Sequence, residues 1–177
     1  IVYFSRAIRL QPDYAEAFHN LGTVLNEVGR GKEALASYNE AIRLQPDFAE
    51  AFNNQGNSEK DAGHTDTAIA CYHQAIRIQP AFAPAHSNLG GVLGELGRHE
   101  EAIAACTRAL DCAPDSQESL SKLAHQLSIV SDWNRLGPCR ERLLAVSPKT
   151  ARITPFESLL FEDNPGAQRH RAQSFAC

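Results

Sequence analysis

Apolar and small residues return along this chain at fixed places. Between residues 15 and 48 they are Ala15, Phe18, Leu21, Gly22 and Leu25, then a polar break ending at Gly29, then Ala34, Leu35, Tyr38, Ala41 and Ile42, and finally Pro46. Steps of three and four residues place each set on one face of a helix. Two amphipathic helices joined by a short polar turn are therefore expected. The same order restarts at Ala49 and at Ala83, and Pro12, Pro46, Pro80, Pro114 and Pro148 mark it at steps of 34 residues. A unit of this size cannot bury its apolar face alone, so units stacked into a solenoid are expected.

The register fixes which residues meet. With Ala15, Ala49, Ala83 and Gln117 as first positions, the eighth is Gly22, Gly56, Gly90 and Ala124. The twentieth is Ala34, Ala68, Ala102 and Leu136, and the twenty-seventh is Ala41, Ala75, Ala109 and Leu143. Small residues there let two helices approach closely, while large residues at positions 4, 7, 11 and 24 fill the remaining space. Gly29, Gly63 and Gly97 suit a left-handed helix stop. The prolines end each second helix by withholding a donor. This pattern resembles the tetratricopeptide repeat, written W-x2-L-G-x2-Y, then A-x3-F, then P. The resemblance implies an all-α, right-handed superhelix of antiparallel helix pairs with a protein-binding groove.

Along the chain, 1–14 reads as the remnant of a preceding repeat, with Phe4, Ala7 and Pro12 in register, and the whole as a fragment of a longer protein. Three repeats follow at 15–48, 49–82 and 83–116, then a degenerate fourth repeat or cap at 117–150 that keeps Leu120, Leu123 and Leu127. Gly137-Pro138 falls inside its second helix, and a restart of that helix at Pro138 is expected. In repeat two, Gln55 and Glu59 stand where its neighbours have leucine. Either these side chains find partners or the helix packs loosely.

The remainder, 151–177, differs in composition and reads as a helical connector towards an absent catalytic domain, with Asn164 and Pro165 fitting a helix start. Ser131-Asp132-Trp133-Asn134-Arg135-Leu136, then Thr154-Pro155-Phe156-Glu157-Ser158-Leu159-Leu160, then Asn164-Pro165-Gly166-Ala167-Gln168 are similar to the junction between repeats and catalytic region in O-GlcNAc transferases of the SPINDLY-like type. That resemblance implies a parent enzyme carrying N-acetylglucosamine from UDP-GlcNAc to protein Ser or Thr. This chain would then be its substrate-presenting arm, holding neither catalytic residues nor a cofactor. The other reading is a stand-alone adaptor for protein–protein interaction.

Position 6 carries the candidate chemistry: Asn20, Asn54 and Asn88, with Lys122 ending the series. An asparagine amide offers a donor and an acceptor, matching a peptide backbone. One rung per repeat, with helices about 8–10 Å apart, serves about three residues of an extended peptide rising about 3.3 Å each. The resemblance to O-GlcNAc transferases supports such a ladder, with His19 and Asn53 beside it in the groove. The competing explanations for the same column are a merely tolerated groove residue and hydrogen bonding between neighbouring helices. His86 occupies an aromatic position and reads as a packed substitute.

Charge and cysteines narrow the setting. Net charge is −4 without a basic run, which argues against nucleic acid and anionic membrane. The longest apolar runs fall well short of a membrane span of roughly 18 residues. Five cysteines form no C-x-x-C pair, and Cys71 and Cys106 fall on apolar positions, as expected of reduced buried thiols in a cytoplasmic protein. The run Gly90-Gly91-Val92-Leu93-Gly94 follows no strand, and His99-Glu100-Glu101 lacks a second histidine, so neither makes a phosphate loop nor a zinc helix. The open N-terminal helix is a candidate face for self-association.

Overall fold

A computed structural model describes residues 1–146; Pro148, the junction segments 154–160 and 164–168, and the connector lie outside the described residues. The described residues form nine α-helices and no strand. After α1 (Val2–Leu10) come four hairpins: α2 (Ala15–Glu27) with α3 (Gly31–Leu44), α4 (Ala49–Asp61) with α5 (Thr65–Ile78), α6 (Ala83–Glu95) with α7 (His99–Cys112), and α8 (Gln117–Ile129) with α9 (Trp133–Val146). The chain is thus an all-α solenoid of antiparallel helix pairs.

Each hairpin turn is closed by a backbone hydrogen bond. Gly29, Gly63 and Gly97 have φ of +77°, +84° and +74°. The amides that follow them, Arg30, His64 and Arg98, each reach back to a carbonyl of the first helix, at Leu25, Glu59 and Leu93, all 2.9 Å away. This is the Schellman closure, and it needs a left-handed residue. In the fourth hairpin Ser131 takes that place at φ 58°, the one described non-glycine residue with positive φ. At the other end of the unit, Gln45, Gln79 and Ala113 precede prolines and are extended, with φ between −128° and −138°. The proline ring disfavours helical geometry in the residue before it, which stops the second helix there.

The pairing inside each hairpin follows residue size. A β-carbon placed on Gly22 would stand 2.7 Å from the Tyr38 ring, and one on Gly56 would stand 2.7 Å from Tyr72. At Gly90 it would meet Cys106 Sγ at 2.5 Å. Ala34, Ala41, Ala68, Ala75, Ala102 and Ala109 are fully buried. Small residues therefore set the helix spacing, and Tyr38, Tyr72 and Cys106 fill what is left.

Two expectations meet the structure differently. Gln55 and Glu59 find partners: Gln55 Nε2 donates to Asn39 Oδ1 at 2.8 Å, and Glu59 Oε2 lies 2.7 Å from His64 Nδ1. Loose packing is not needed to accommodate them. The helix restart at Pro138 is corrected, because α9 runs continuously from Trp133 through Pro138 to Val146. Asp132 caps it, accepting from the Arg135 amide at 3.1 Å. Leu136 and Cys139 are buried against α8 while Pro138 is exposed. The ring thus faces water, where the freed Asn134 carbonyl can be hydrated, and the buried face holds the helix together.

Curvature follows from which helices touch. First helices pack side by side, α2 on α4, α4 on α6 and α6 on α8, whereas among the described residues no second helix touches the next second helix. The stack therefore bends towards its first helices, which line the concave face. α1 packs on α2, leaving Val2, Tyr3 and Leu10 exposed. No described helix is long and apolar enough to cross a membrane.

Candidate functional site: the concave face of the first helices

Between α4, α6 and α8 lies an open groove of about 500 Å³. Its lining includes Asn53, Asn57, Pro84, Ser87, Asn88 and Glu118. Amides and hydroxyls share its surface with Ala83, Pro84 and Ala113. Asn53, Ser87 and Ser119 are nearly closed to solvent, and Pro84 and Glu118 stand exposed at the edge.

The side chains under this groove are tied to one another across helices. Asn88 Nδ2 donates to Asn53 Oδ1 at 3.0 Å, and Asn53 Nδ2 donates to Asn54 Oδ1 at 3.2 Å. Asn54 Nδ2 then meets His19 Nε2 at 2.9 Å. One rung on, Lys122 Nζ donates to both Ser87 O and Ser87 Oγ at 3.3 Å, and pairs with Glu118 Oε1 at 2.5 Å. Each crossing joins residues 35 apart, because position 6 of one unit lies against position 5 of the unit before it. Buried amides are costly unless bonded, about 1–3 kcal/mol each, and these bonds meet that need without water.

Of the candidates singled out in the sequence, Asn53, Asn54, Asn88 and His19 are thus brought into one chain. Asn20 is exposed at its end, with a side-chain hydrogen bond to His19. Asn54 and Asn88 are engaged between neighbouring first helices, the competing geometry for that column. Asn88 shares the groove surface with Asn57, Ser116 and Glu118, which a search down single columns passes over. The signal that finds the lateral bonds is the diagonal step from position 5 to position 6.

Burial tunes the titratable groups nearby. Desolvation is the largest influence on His19 and lowers its pKa, against Glu50, Asn20 and Glu16, which act to raise it. The ring sits 4.8 Å from Phe48 and 6.0 Å from Tyr38, centroid to centroid. His86 is half-buried, and its Nε2 lies 2.9 Å from the Pro80 carbonyl oxygen in an exposed contact. Burial pushes the Cys71 and Cys106 thiols up to about 11, so both are held as thiols. Among the described residues no three His, Cys, Asp or Glu are grouped to hold a metal ion.

Family models for tetratricopeptide repeats match residues 24–58 and 53–117. Residues 24–117 are tetratricopeptide repeats. No curated protein matches the chain in sequence. Among solved structures, the repeat solenoid is similar to a crystal structure of MamA, with a TM-score of 0.73 at 20% identity, covering 84% of this chain and 86% of that one. A second MamA structure gives 0.70 at 20%, covering 85% and 82%. A MamA RS-1 double mutant gives 0.70 at 17%, covering 81% of each chain. At these identities the likeness is one of fold. Neither the repeat matches nor these structures bear on glycosyl transfer.

Proposed function

We propose that this chain is a protein-interaction scaffold whose concave face holds an extended segment of a partner protein. The observation that carries this is the open groove of about 500 Å³ along α4, α6 and α8, lined by Asn53, Asn57, Asn88 and Ser116 beside Ala83 and Pro84. Its length runs across three helices, so a ligand following it must be extended. Its amides and hydroxyls can pair with peptide groups, while Ala83, Pro84 and Ala113 offer contact to alkyl side chains. Tetratricopeptide repeats are a protein-binding architecture, which agrees. With net gains of about 0.5–1.5 kcal/mol per hydrogen bond, a groove of this size binds weakly, and a second contact would raise affinity by tethering.

The stand-alone adaptor is favoured over the substrate arm of an O-GlcNAc transferase. The transferase reading, with UDP-GlcNAc as donor, rests on segments that lie mainly outside the described residues. The adaptor reading rests on described geometry.

The test is binding of unstructured peptides, drawn from a random library on the wild type and measured by fluorescence anisotropy. Pro84→Trp with Glu118→Trp fills the edge of the groove at two exposed positions. Loss of binding in a variant that melts like wild type supports the reading. Equal binding by the variant overturns it.

A further inference from the structure

The chain of bonds under the groove has a direction. Asn88 donates to Asn53, Asn53 to Asn54, and Asn54 to His19. An amide –NH2 has no lone pair to offer, so His19 Nε2 must accept from it, and the ring proton must sit on Nδ1. A proton added at Nε2 would turn that acceptor into a donor facing another donor. Rotation of the Asn54 amide by half a turn restores the bond to His19 but opposes two –NH2 groups at Asn53. Asn53 must then turn as well, and after it Asn88.

We infer that His19, Asn54, Asn53 and Asn88 form a proton-set polarity relay: the charge state of His19 reverses every amide and decides whether Asn88 turns a carbonyl oxygen or an –NH2 towards the groove. With His19 neutral, Asn88 spends its –NH2 on Asn53 and its oxygen is left to the groove. With His19 charged, Asn88 accepts from Asn53 and its –NH2 is left to the groove. The relay is internal to the chain and stands whether or not a peptide occupies the groove.

The surroundings allow both states. Glu16 on α2 and Glu50 on α4 favour the charged ring, while burial opposes it. α3 presents the Tyr38 ring, and the segment before α4 presents Phe48. On α3, Lys32, Glu33 and Arg43 are exposed and Glu40 is half-buried and paired with Arg43 at 2.8 Å; Arg6 and Arg9 on α1 are exposed. Asn53 is 5% exposed, so water is a poor substitute for its partners and its two bonds are coupled. Burial holds the charged state to pH below about 6.5, the ordinary histidine value.

The experiment follows the side-chain amides of Asn53, Asn54 and Asn88 and the imidazole of His19 by nitrogen-15 NMR on the full chain, from pH 7.5 to 4.5 (set as roughly one decade above and two below). The relay predicts that the Asn88 –NH2 resonances shift with the His19 midpoint. In Asn53→Ala the His19 titration persists and the Asn88 shift at that midpoint disappears. An Asn88 amide that is flat in wild type overturns the relay. So does an Asn88 shift that survives unchanged in Asn53→Ala, which would mark a through-space field. Should Asn53→Ala fail to fold, Asn53→Leu, close in size to asparagine and without hydrogen-bonding groups, takes its place with the same two outcomes.

Discussion

The Tyr38 ring lies so close over Gly22 that a β-carbon there would come within 2.7 Å of it. Tyr72 stands over Gly56 in the same way one unit on. Overpacking a filled core costs about 1–3 kcal/mol, while Gly→Ala inside a helix gains about 0.5–1 kcal/mol. Gly56→Ala is therefore expected to destabilise the chain, because Tyr72 is fully buried and has nowhere to move. Gly31→Ala at the start of α3 meets nothing within 4 Å, and by restricting the unfolded chain is expected to stabilise by about 0.4–1 kcal/mol. Urea midpoints of the two variants should move in opposite directions.

Ser131 closes the fourth hairpin at φ 58°, where the other three use glycine. A non-glycine residue in left-handed geometry is strained by about 1–2 kcal/mol. Ser131→Gly relieves that strain and loses part of the gain through a freer unfolded chain. A net stabilisation of up to about 1 kcal/mol is expected, against a loss of similar size for Gly63→Ala at φ +84°. Thermal melts with matched buffers read both.

Cys112 is exposed, whereas Cys71, Cys106 and Cys139 are buried free thiols. A thiolate is the reacting species, and burial holds Cys71 and Cys106 at about 11. Among the described cysteines, N-ethylmaleimide at neutral pH should label Cys112 first, and the three buried thiols only on unfolding. Peptide mapping by mass spectrometry gives the order.

Stability should also fall in mild acid. The folded-state pKa of His19 is lowered, so in the window below 6.5 the unfolded chain binds more protons than the folded one. Its contribution is fully present above the unfolded value of about 6.5 and is lost as pH falls through the folded value. His19→Phe should remove this part of the slope. The comparison is the urea midpoint at several pH values for the two proteins.

Much of this fold could be read directly from the chain. Gly22, Gly29, Ala34, Ala41 and Pro46 each have one steric duty, and their recurrence places every helix and turn of the first three hairpins. Pro138 misled because a local rule met a tertiary one: Leu136 and Cys139 bury the other side of α9 and keep it whole. The site was half legible. Reading down one column finds Asn20, Asn54 and Asn88 but treats them as equivalent. Their partners lie on a diagonal, His19 with Asn54, Asn53 with Asn88 and Ser87 with Lys122. That pairing depends on how adjacent units are offset, which no single repeat encodes.

The central claim is that the concave face binds an extended partner segment. The most direct measurement is a nitrogen-15 NMR titration of the full chain with library-selected peptides. The account predicts that the largest changes fall on Asn57, Ser87, Asn88 and Glu118, for peptides of unrelated sequence alike. Changes confined to the outer surfaces of α3, α5 and α7, or to α1, would contradict it.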